Sequence, residues 1–70
     1  MSNPAERPAV ELTQWRSQGN YCHHCGKGEW YVAPGGFEIH KRMGRWIATW
    51  KQHEIARDPA LSNVMMELCK

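Results

Sequence analysis

Cys22-His-His-Cys25-Gly26 is the segment of this 70-residue chain whose residue types and spacing speak most directly of chemistry. Two thiolates separated by two residues grip one metal ion, and the glycine that follows permits the tight backbone turn of a zinc knuckle. Thiol redox chemistry also uses such a pair, but at a helix start after a buried strand, which the Gly-rich surroundings do not supply. A c-type haem is excluded by pattern, because position 26 is Gly where His is required. A structural zinc takes four ligands, so two more are sought among His40, His53, Cys69, His23 and His24. Cys69 is the expected third, as the remaining thiol at the end of an apolar segment; its bland alternative is an inert small hydrophobe. His40 is the expected fourth, ahead of His53, whose alternative is a packed core or boundary histidine. His23 and His24 lie inside the knuckle and are expected to point to solvent.

A second feature runs from Lys41 to Lys51, where Lys41, Arg42, Arg45 and Lys51 occur without an acid and with Trp46 and Trp50 interleaved. Cations beside aromatic rings can hold phosphates and stack bases. Read as a helix, the same segment puts Trp46 and Trp50 on one face with Met43 and Ile47, so the rings also suit a core and the cations an ordinary solvated face. The spacing does not suit a base-reading finger, since twelve residues separate His40 from the next histidine, His53.

The elements that must position these groups follow from turn signals and periodicity. Residues 1–10 carry two prolines and no period and read as a flexible leader; residues 11–70 read as one domain. A short helix is expected from Glu11 to Gln18, with Trp15 capping the core and Gly19 as a stop. Glu29–Ala33 and Phe37–His40 flank Pro34-Gly35-Gly36 and read as a β-hairpin, in which Ala33 faces Phe37 and His40 returns opposite Trp30. Met43, Trp46, Ile47, Trp50 and His53 or Glu54 then mark one face of a helix ending near Arg57. Asp58-Pro59 reads as a helix start, followed by a buried stripe of Leu61, Val64, Met65 and Leu68. The expected architecture is therefore α+β: a small zinc-stabilised domain in which a Cys-x2-Cys knuckle and a β-hairpin pack against two or three short helices.

Size and charge bound the function. So short a chain, with 41% hydrophobic residues, buries a core barely able to offset the ordering entropy, so a metal staple is expected and a deep catalytic cleft is not. Nine Lys+Arg against seven Asp+Glu give +2, too little to imply nucleic acid or membrane from composition alone. Three cysteines make a poor disulfide framework, and no apolar run approaches the roughly 18 residues of a membrane span, so a cytoplasmic protein is expected.

Taken together, Trp15-Arg-Ser-Gln-Gly-Asn-Tyr-Cys22-His-His-Cys25-Gly26, Glu38-Ile-His40-Lys41-Arg42 and Asp58-Pro-Ala-Leu-Ser62-Asn63-Val-Met-Met-Glu-Leu68-Cys69 resemble the HNH endonuclease family over roughly Trp15 to Cys69. The resemblance implies zinc on Cys22, Cys25 and Cys69, His40 at the catalytic-histidine region, and Asn63 as the asparagine that ties a ββα element together. The family pattern continues through a second cysteine and a closing metal-binding histidine, whereas this chain ends at Lys70 and carries Lys41 where many members have a second histidine. Phosphodiester hydrolysis needs both a base and a divalent ion. The first expectation is accordingly a zinc-bearing relative that binds nucleic acid or a nucleic-acid-handling protein without cutting, in a phage or mobile-element setting. The alternatives are a metal-dependent DNA nicking enzyme, with His40 as base and a site completed by His53 or a second chain in a homodimer, and a protein-only inhibitor or adaptor.

Overall fold

A computed structural model describes residues 7–19 and 28–70. The chain forms a five-stranded antiparallel sheet whose strand order is its chain order: β1 (Arg16–Ser17), β2 (Trp30–Ala33), β3 (Phe37–Arg42), β4 (Arg45–Trp50) and β5 (His53–Asp58). One helix, α1 (Leu61–Leu68), follows. The class is α+β, with a single α-helix among the described residues where two or three short helices were expected.

The β2–β3 hairpin has the expected register, Ala33 opposite Phe37 and Trp30 opposite His40, across Pro34-Gly35-Gly36. The expected helix over residues 43–57 is instead the β4–β5 hairpin. Met43, Trp46, Ile47 and Trp50 mimic a 3.6-residue period, but Arg45–Trp50 also alternates, with Trp46, Ala48 and Trp50 on one face and Arg45, Ile47 and Thr49 on the other. Tryptophan, isoleucine and threonine favour the pleated conformation, and that preference prevails. Two-residue turns bracket β4: Met43 and Gly44 at φ 53° and 79°, and Lys51 and Gln52 at φ 52° and 71°. Two consecutive positive φ values are the type I′ signature, whose twist matches that of the strands it joins. Between β4 and β5 the register shifts after Ala48, leaving Ile55 as an extra residue between Glu54 and Ala56.

The expected helix at Glu11–Gln18 is a single 3-10 turn, Leu12–Gln14, leading into β1. Gln14 Oε1 accepts from the Glu11 N–H at 2.9 Å, closing the turn on itself, and the Gln18 N–H then pairs with the Trp30 carbonyl at 2.8 Å. Trp15 is buried as expected, whereas Leu12 is exposed. Asp58 is the last residue of β5 and does not cap α1 directly. Its carboxylate accepts from the Ala60 N–H at 2.8 Å and from Asn63 Nδ2 at 3.1 Å, bending the chain into the helix.

One face of the sheet carries the core. Ala33, Phe37, Ile39, Ala48 and Trp50 meet Val64 and Leu68 of α1, with Val10 and Trp15 from the segment before β1. Leu61 and Met65 of the expected helical stripe pack at its margin. Phe37 stacks on Trp50 at 5.9 Å between ring centroids and receives the edge of Trp15 at 6.4 Å. Val10 is buried and its N–H donates to the Leu68 carbonyl at 2.9 Å, tying the segment before β1 to the end of α1.

Candidate functional site

Cys22, Cys25, His23 and His24, the knuckle residues, lie outside the described residues. His40 and Cys69, the two other expected zinc ligands, are not brought together. Strand alternation turns His40 away from Ile39, onto the sheet face opposite α1, where it is only 6% exposed. Cys69 is exposed just beyond the helix that covers the other face. His53 pairs with Trp50 and shares its face, away from His40. Among the described residues, no three His, Cys, Asp or Glu side chains cluster as a metal site. Asn63 is not joined to His40 either: its side chain is bonded to Asp58, beside the helix on the core face, whereas His40 faces away from α1.

The face opposite α1 has its own electrostatics. Glu54 and Arg57 of β5 form a two-point ion pair, with Nε to Oε2 at 2.6 Å and Nη2 to Oε1 at 2.8 Å. Hydrogen bonding from Arg57 holds the Glu54 carboxyl below the usual carboxylate value, helped by the charges of Arg57 and His40. The same bonds raise the Arg57 guanidinium. Arg57, a cation not singled out in the sequence, is therefore already matched by an acid. On the core face, burial raises the Tyr31 hydroxyl above its usual value, with the Glu29 charge acting in the same direction.

The four cations singled out in the sequence are distributed by the β3–β4 hairpin. Arg42 and Arg45 stand directly opposite each other, one on either side of the Met43-Gly44 turn, with side chains on the same face. Lys41 lies on the other face at the same end, its Nζ 5.7 Å from the Trp46 ring centroid. Lys51 occupies the far end of β4, with its Nζ 5.1 Å from Trp50. A groove on the face opposite α1 joins the two ends, running from Arg42 past Glu38, His40 and Thr49 to Lys51. Three of the four cations thus gather at one hairpin tip. Among the described residues, no ion pair engages Arg42 or Arg45.

Both tryptophans of this segment are occupied. Trp50 stacks on Phe37 and donates its indole N–H to the Gly35 carbonyl at 3.1 Å, and Trp46 packs against Tyr31 at 6.0 Å beneath Lys41. The apolar group that does reach solvent is Met43, 95% exposed at the point of the turn, against 52% and 56% for Leu12 and Met66. A helix over residues 43–57 would bury Met43, and the turn exposes it instead. The signal that finds it is the tetrad Arg42-Met43-Gly44-Arg45, a two-residue turn with a cation on each side. No protein-family model matches the chain, and no curated protein or solved structure is detectably similar to it.

Proposed function

We propose that the protein is a small nucleic-acid-binding module without phosphodiesterase chemistry, and that the β3–β4 hairpin tip is its phosphate-contacting surface. The observation that carries this reading is the Arg42–Arg45 cross-strand pair, joined by Lys41 from the other face. Like charges set opposite each other on a sheet repel, and Glu54, the acid that lines a cavity with both arginines, is already paired with Arg57. An anion placed between two guanidiniums removes that repulsion and accepts hydrogen bonds from both. Nucleic acid presents such anions at regular spacing. A nicking activity is not part of the proposal, because His40 and Asn63, the residues the HNH resemblance would join, sit in separate parts of the fold.

In this reading a zinc ion serves as a staple, held by Cys22 and Cys25 together with His40, and Cys69 is not a ligand. The support is positional: His40 pairs with Trp30, in the strand that follows the knuckle in sequence, whereas Cys69 lies beyond α1. Native mass spectrometry of purified variants tests it. Cys69→Ser is expected to retain the zinc of the parent chain and His40→Ala to lose it. Zinc loss in the Cys69 variant would overturn this assignment.

The binding itself is tested by anisotropy with a labelled 25-base-pair duplex over a range of salt concentrations. Affinity is expected to fall with salt. In the Arg42→Gln, Arg45→Gln double variant the log–log slope should drop by roughly 2, about one unit per phosphate contact removed. Circular dichroism serves as the check that this variant is folded. A folded variant with parental affinity and slope would place the binding surface elsewhere.

A further inference from the structure

Resting on that reading, we infer that Met43 is an apolar wedge that enters the minor groove of duplex DNA and parts a base step. Nucleic acid can be held by stacking bases on exposed aromatic rings or by prying open a duplex with an aliphatic side chain. The first mode needs a ring presented to solvent beside the cations. Neither Trp46 nor Trp50 offers one, since Tyr31 and Lys41 occupy the first and Phe37 and Lys51 the second. The second mode needs a narrow projection tipped by an aliphatic residue and flanked by cations that grip the backbone on either side.

The β3–β4 tip has each of those parts. Met43 stands 95% exposed at φ 53°, a left-handed conformation that is unfavourable for a side-chain-bearing residue and that carries it outward past the ends of both strands. Arg42 and Arg45 follow immediately behind it. A Cβ built on Gly44 meets nothing within 4 Å, so the side of the turn is open as well. Arginines favour the negative potential of a narrow minor groove, and a long unbranched thioether adapts to an irregular gap between bases. Flexible pyrimidine–purine steps part most easily, so TA steps are the expected points of entry.

The test uses the full chain and a 25-base-pair duplex with 2-aminopurine beside TA steps, together with the matching single strand. Binding of the parent protein should raise 2-aminopurine fluorescence. Met43→Ala should bind with the same salt slope and roughly fivefold weaker affinity, without that rise. Met43→Leu should restore it. Bound parent protein with no fluorescence change, an equal rise with Met43→Ala, or tighter binding to the single strand would each overturn the wedge while leaving phosphate binding in place. Absence of any binding by the parent protein removes both readings.

Discussion

Strand β4 ends in two turns of the same backbone type that meet opposite fates. At Lys51-Gln52 the turn is docked: the Lys51 N–H donates to the Gly36 carbonyl at 3.0 Å, and its side chain lies over Trp50. Trp50 in turn reaches Gly35 and Phe37, so the β4–β5 turn, the β2–β3 turn and the core form one packed end. At Met43-Gly44 no described residue covers the turn, Met43 being 95% exposed, and a pair of like charges closes it. The same pattern of positive φ values is thus tethered at one end of a strand and projects from the other. Neighbours, more than local geometry, decide which end adds stability and which is free to bind.

The sharpest way to break this contrast is to truncate both ends. Trp50→Ala should lower unfolding free energy by about 3–5 kcal/mol in a urea titration, as expected for emptying a buried indole site. Met43→Ala should stay within about 0.5 kcal/mol of the parent. Comparable losses at the two sites would erase the distinction. Next comes the backbone itself. Gln52 holds a φ of 71° with a full side chain, so Gln52→Gly should raise stability by about 1 kcal/mol, and Gly44→Ala should lower it by a similar amount. Thermal unfolding of the two variants reads both signs.

Smaller still is the charge pair at the projecting turn. Arg45→Glu replaces repulsion by attraction across the strands and should stabilise the fold by about 0.2–1 kcal/mol while weakening duplex binding. Stability and affinity moving in the same direction would argue against a cost retained for binding. The smallest effect belongs to Glu54 and Arg57. The folded-state carboxyl lies below its ordinary value, so its stabilising contribution is complete above that ordinary value and is lost as pH falls through the depressed one. The pair is solvent-exposed, so Glu54→Gln should remove only a slight acid-side slope from the stability–pH curve.

What the sequence disclosed depended on whether a segment's local signals agreed with one another. Pro34-Gly35-Gly36 between two alternating segments admits little but a hairpin, and its register was legible to the residue. The buried side of α1 was legible too, because Val64 and Leu68 recur at helical spacing in a segment with no competing strand alternation. At residues 43–57 two periods coexisted, and Met43, Lys51 and Gln52 are not residues that announce an I′ turn. The cations could be named from sequence, but their gathering at one tip follows from a reversal at Met43-Gly44 that a helical reading hides. The direction of His40 was likewise invisible, since it depends on which face of β3 its side chain takes.

The strand order has a kinetic consequence. Each strand pairs with its immediate predecessor, so most of the sheet can assemble through short loop closures, a topology associated with rapid folding. The Val10–Leu68 hydrogen bond is the exception, bringing residue 10 to residue 68 only when the sheet between them exists. It is expected to close late and to open first, releasing the segment before β1 and the end of α1 together. In hydrogen exchange, the Val10 amide should therefore report a local opening well below the global unfolding energy, while the amides of β3 and β4 exchange only through the latter.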